Sequence, residues 1–177
     1  MKASELFYGT NIAFADSFMN EKKCYDALTV VKGMEKFVDD NFRALVEITA
    51  DVPDDATLFV SVESVALFFT EILNVVFGRA ILKINFYVRG GRLYVHMMSD
   101  PKVDCSFDEA ARLIRMARDV GFDFVRDEDS VLLFMDCYPK TAGTIYAPLV
   151  KDGIKRIAEI FENAYYSDKL KKERKDF

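Results

Sequence analysis

The chain has only three cysteines, Cys24, Cys105 and Cys137, widely spaced and with no Cys-x-x-Cys pair. That argues against a zinc ribbon or a disulfide framework and suits a reducing cytoplasm. No run of 18 apolar residues occurs, because Thr70, Glu71 and Asn74 interrupt the longest candidate, so no membrane insertion is expected. The opening MKASELFYGT lacks the charged, then apolar, then small layout of a secretory signal. Positive charge is in deficit at a net −5, which weighs against nucleic acid as a partner. Tryptophan is absent and histidine occurs once. That residue, His96, sits in a strand pattern and reads as a surface or helix-covered side chain. No catalytic residue and no metal ligand is assigned.

Half of the 177 residues are apolar and 16 are Phe, enough for a real core in one domain with an appended helical piece. The stretch that organises the rest is ESVALFFTEILNVVFGR, residues 63–79. At 100° per residue, Glu63, Thr70, Glu71, Asn74 and Gly78 fall on one narrow stripe of a helix that is otherwise apolar. Such a helix belongs in a core, and its stripe must meet something polar.

Residues 4–41 predict an αα-hairpin, with Ser4 capping the first helix. The second carries Tyr25, Leu28, Val31, Met34, Val38 and Phe42 on one face. That much apolar face suggests pairing with a second copy, a homodimer through residues 4–41. ALVEITA reads as a strand, DVPDDA as a turn, and TLFVS as a short strand leading into the central helix. ILKINFYVR and RLYVHMM alternate strictly about Gly90-Gly91, a hairpin turn. Ser106 caps a helix from Phe107 to Val120, with Asp108 and Glu109 in its first turn and Gly121 at its end. Its Arg112, Arg115 and Arg118 are either solvated or free to grip an acidic group. FDFVR and SVLLFMDCY are two further strands, and a long amphipathic helix runs from about Ala147 to Lys172 with Leu149, Val150, Ile154, Ile157, Ile160, Phe161 and Tyr165 on its apolar side. The lysines and arginine that follow are read as a solvated helix end. The fold class is therefore a two-layer α/β (α+β) sandwich, a mixed sheet covered by helices. The chain divides into a helical hairpin (1–42), the sandwich (43–139) and a C-terminal helix with a basic tail (140–177).

In the order of these parts the chain resembles the GHKL (Bergerat) ATPase superfamily, which includes sensor histidine kinases. VEITADVPDDATLFVS is similar to the strand entering that domain, and FTEILNVVF to its asparagine-bearing helix. RGGRLYVHMMSD is similar to the hairpin that ends at the family's D-x-G-x-G adenine motif. ARLIRMARDVGFDFVRDEDSVLLFMDCYP is similar to its closing helix and strand pair. The resemblance implies a vestigial nucleotide pocket at Thr70, Glu71, Asn74, Gly78 and Asp100. The family's asparagine holds Mg²⁺ beside the phosphates and its glycines let the backbone approach them. Two registers are open. With Glu71 at the acidic position, Val75 replaces the asparagine; with Asn74 as the asparagine, Thr70 stands at the acidic position. Pro101, Lys102 and Val103 follow Asp100 without a glycine, VDCSFDEAARL has no glycine-rich lid, and residues 4–41 hold no histidine for a phosphoacceptor. The implied function is a non-catalytic signalling or scaffold protein on a degenerate histidine-kinase-like fold. It would act on a signalling-protein partner, with no cofactor. The alternative is a nucleotide-binding regulator or serine kinase of anti-sigma type, using ATP and Mg²⁺.

Overall fold

The computed structural model describes residues 21–141 and 152–175. Within them the chain is α+β, with helices packed on one face of a mixed five-stranded sheet. Its strands are β2 (Val46–Asp51), β4 (Ile81–Arg89), β5 (Arg92–Asp100), β6 (Asp123–Arg126) and β7 (Val131–Asp136), in the order β2-β4-β5-β7-β6. β2 and β4 run parallel, and the remaining pairs are antiparallel. A second, three-stranded antiparallel sheet takes β3 (Ala56–Val60) between β1 (Lys23–Asp26) and β8 (Tyr138–Pro139).

The hairpin falls where alternation and Gly90-Gly91 place it. Both glycines take positive φ, 59° and 74°, as a tight two-residue turn matched to the strand twist requires. Leu82, Ile84, Phe86, Leu93 and Val95 line its buried face. The opposite face carries cross-strand rows. Tyr87 stacks on Tyr94 at 5.1 Å between ring centroids, and Tyr94 meets Phe134 at 5.9 Å. His96 lies in the next row, opposite Asn85 and Leu132.

Four helices follow the predicted order, less the first, since residues 4–20 lie outside the described part. They are α1 (Ala27–Asn41), α2 (Val62–Val76), α3 (Phe107–Val120) and α4 (Gly153–Lys175). α3 opens with the expected cap, and the box closes fully: Glu109 N–H donates to Ser106 Oγ at 3.1 Å and Ser106 N–H to Glu109 Oε1 at 3.0 Å. Gly121 ends it at φ 108°.

The sequence reading needs three corrections. Residues 23–26 form strand β1, not helix, because Asp26 caps α1: its Oδ2 accepts from Thr29 N–H at 3.2 Å, and the chain before a cap is extended. SVLLFMDCY is not one strand. It divides at Cys137, whose N–H donates to Gly91 O at 3.0 Å, and the two halves enter different sheets. The last helix begins at Gly153; Ala147, Leu149 and Val150 lie outside the described residues.

One core runs from Tyr25 to Phe161 and includes both α1 and α4. α1 spends its apolar face inside the chain. Phe37, fully buried, meets Phe42, Phe69, Phe161 and Tyr165 with ring centroids 5.6 to 6.4 Å apart. Gly33 sits against α4 so closely that a β-carbon there would lie 2.3 Å from Ile157 Cγ2. The helix spacing at this crossing is thus set by the absence of a side chain.

Candidate functional site

α2 carries the stripe proposed for a nucleotide, and its surroundings are now fixed. Ser61 caps the helix, accepting from Ser64 N–H at 3.3 Å. Asn74 turns to α4, where its Nδ2 donates to Asp168 Oδ2 at 2.8 Å. Glu71 turns to α3, with Oε2 3.4 Å from Arg112 Nε and its side chain only 15% exposed. Thr70 is buried. Gly78 lies in the exposed turn after the helix at φ 75° with open space around it. Asp100 ends β5, largely exposed, 3.5 Å from Lys83 Nζ. These five residues therefore have five different surroundings, and the structure does not bring them into one pocket.

A cavity does exist beside them, of about 180 Å³, between α2, α3 and the sheet. α2 contributes Phe68, Ile72, Val75 and Val76; α3 contributes Leu113, Ile114 and Ala117; Met97, Phe124 and Leu133 form the sheet wall. Polar residues come from the end of β5 and the loop after it, at Ser99 and Lys102, and from the β6–β7 end, at Arg126, Asp127, Glu128, Asp129 and Ser130. None of Thr70, Glu71, Asn74, Gly78 and Asp100 lines it. Val75 lines the cavity, whereas Asn74 does not and is held by Asp168. The loop after β5, residues 101–106, has no glycine. The α2 wall, Phe68, Ile72, Val75 and Val76, offers no oxygen ligand to a cation.

Cys105 also lines the cavity. Burial pushes its thiol up, and Glu109 adds to the shift while Arg126 opposes it. Arg118 lies over the Phe124 ring at 5.7 Å while Arg112 pairs with Glu71, so these two arginines of α3 have separate neighbours. Among the described residues no group of three or more His, Cys, Asp or Glu is placed to hold a metal, and no helix is long and apolar enough to cross a membrane.

The sequence reading missed two features. Asp168 could not be matched to Asn74, 94 residues away, by any local signal. The aromatic row on the sheet face away from the described helices was within reach, since the hairpin register sets Tyr87 opposite Tyr94.

Solved structures similar to the chain include the Acinetobacter baumannii histidine kinase AdeS, at TM-score 0.45 and 9% identity over 69% of this chain and 69% of that one. The catalytic domain of the histidine kinase ThkA aligns at TM-score 0.46 and 10% identity over 68% of this chain and 97% of that one. A histidine kinase from Burkholderia phymatum aligns at TM-score 0.42 and 12% identity over 77% and 80%. No protein-family model and no curated protein sequence matches the chain.

Proposed function

We propose that the chain is a non-catalytic signalling or scaffold protein, built on a degenerate histidine-kinase-like ATPase plan and acting by protein–protein contact. The observation that carries this reading is Val75 in an apolar cavity wall, with Asn74 held instead by Asp168 on α4. A carboxamide engaged by another helix is unavailable to a cation, and valine offers it nothing. Self-association runs through residues 4–41, whose described part, α1, also packs on α4. A signalling-protein partner then meets the faces left exposed. The competing reading, a nucleotide-binding regulator, draws on Glu71, whose carboxylate is half-buried beside Arg112 on the helix that forms one cavity wall.

Thermal unfolding with and without Mg-ATP, Mg-ADP and a non-hydrolysable analogue tests this, because a ligand of the native state stabilises it by RT ln(1 + [L]/Kd). No shift at millimolar nucleotide supports the scaffold reading; a rise of several degrees overturns it. Sedimentation of the full chain and of a chain lacking residues 1–20 tests the self-association.

A further inference from the structure

We propose that the cavity between α2, α3 and the sheet is a binding site for an uncharged small molecule built on one aromatic ring. This goes beyond the scaffold reading and does not depend on it.

Size and packing choose a single ring. A cavity of about 150 Å³ lined by Leu, Ile and Phe takes up benzene. Here the space is about 180 Å³, with Ile72 and Val75 contributed by α2 and Leu113 and Ile114 by α3. A second void of about 50 Å³, lined wholly by apolar side chains, adjoins it and shares Phe68, Ile72, Met97 and Leu133 with it. Protein interiors leave few voids larger than a water, and side chains beside a void forfeit contacts there. These four side chains border two voids at once, so the layer between α2 and the sheet is underpacked at this place. Leu113, Phe124 and Val131 pack on the core and also line the cavity, yet they stay only half-buried. A ring seated among them takes that apolar surface out of water.

Wall chemistry chooses an aromatic ring without charge. Met97 brings a thioether, and Phe68 and Phe124 bring rings. Both kinds of group gain from meeting an arene beyond the area they bury, and a saturated ring offers them only area. A charge carried into such walls gives up its hydration with no equal return. The polar end of the lining compensates neither sign, because it holds Lys102 and Arg126 together with Asp127, Glu128 and Asp129. A cation or an anion there meets like charges as well as opposite ones. Ser99 and Ser130 add uncharged hydroxyls to the lining, so a hydroxyl carried on the ring's tether has partners of its own kind.

The test uses the full chain with four probes of one size at millimolar concentration: benzyl alcohol, cyclohexylmethanol, benzoate and benzylamine. Two readouts are taken. One is thermal unfolding; the other is the rate of maleimide labelling at Cys105, which lines the cavity, followed by peptide mass spectrometry with Cys24 and Cys137 as internal references. Benzyl alcohol is expected to raise the melting temperature by a few degrees at about tenfold over its Kd and to slow Cys105 labelling severalfold. The other three probes should do less of both. Ala110 lines the cavity, and Ala110→Phe should fill it and abolish both effects. Leu113→Ala should enlarge it, so that 1-naphthylmethanol, too large for the parent, now stabilises the chain and protects Cys105. Should either variant fail to fold, protection of Cys105 in the parent, with Cys24 and Cys137 unchanged, still decides. Absence of both effects with benzyl alcohol overturns the site, as does undiminished binding in Ala110→Phe. Benzoate or benzylamine binding at least as well overturns the uncharged class, and cyclohexylmethanol binding at least as well overturns the choice of an aromatic ring.

Discussion

Asn74 on α2 donates through Nδ2 to Oδ2 of Asp168 on α4 at 2.8 Å, joining two helices whose sequences meet only in the folded chain. The bond is charge-assisted and half-buried, a setting in which such bonds contribute about 1.5 to 3 kcal/mol. Asn74→Ala is expected to cost about 1–2 kcal/mol in urea unfolding. Asn74→Asp costs more, because it sets two carboxylates against each other. If Asn74→Ala proves neutral in stability, the bond does not hold α4.

Gly33 should tolerate no side chain. Alanine would gain about 1 kcal/mol of helix propensity. Its β-carbon would nevertheless lie 2.4 Å from Ile157 Cβ, 2.3 Å from Ile157 Cγ2 and 3.1 Å from Ile154 O, and α4 would have to move. Overpacking of this kind costs about 1–3 kcal/mol. The expected net effect of Gly33→Ala is a lower melting temperature, by a few degrees for a chain of this length.

Phe37 anchors the aromatic cluster that ties α1 to α2 and α4. Phe37→Ala is expected to cost about 3–5 kcal/mol, the range for removing a fully buried ring. Phe107→Ala at an 87% exposed position serves as the control and should change little.

Ser106 and Glu109 predict a pH dependence. Hydrogen bonds from the Ser106 backbone and side chain hold the Glu109 carboxyl below the usual carboxylate range. A depressed folded pKa contributes stability above the unfolded value and loses it as pH falls through the folded value. The stability gap between the parent and Glu109→Gln should therefore be constant near neutrality and close in acid, below the ordinary carboxylate range. A gap that persists at the lowest pH where the chain remains folded would rule out the ionised box.

Cys105 offers a second titration. Its thiol is raised mainly by burial and next by Glu109, so its alkylation should rise at higher pH than that of an unfolded-chain thiol. Glu109→Gln should bring that midpoint part of the way down, and a midpoint at or below the free-thiol value would contradict the buried placement.

The hairpin and α3 were legible because each is specified locally. Strict alternation about Gly90-Gly91 leaves one register, and Ser106, Glu109 and Gly121 mark both ends of a helix. β1 was not legible because four residues ending in a cap carry no period of their own, and Tyr25 fits a helical face as well as a strand paired with Leu58. The division at Cys137 depends on a backbone bond to Gly91. The site was the least legible part. α2 is apolar on two sides, toward the sheet and toward α4, so helical periodicity alone could not decide whether Val75 or Asn74 faced the cavity. That choice rests on Asp168, and no local pattern pairs α2 with α4.

The small sheet has a consequence for synthesis. β3 is clasped between residues from near both ends of the described sandwich, β1 at Lys23–Asp26 and β8 at Tyr138–Pro139, and Thr57 Oγ1 donates to Tyr138 O at 2.8 Å. On the ribosome, β1 and β3 emerge early, while the strand that closes the other edge of β3 arrives some eighty residues later. During that interval β3 carries a bare edge, open to pairing with another nascent chain. Tyr138 and Pro139 end the exposure, and the proline limits growth of the sheet beyond them because it has no N–H to give.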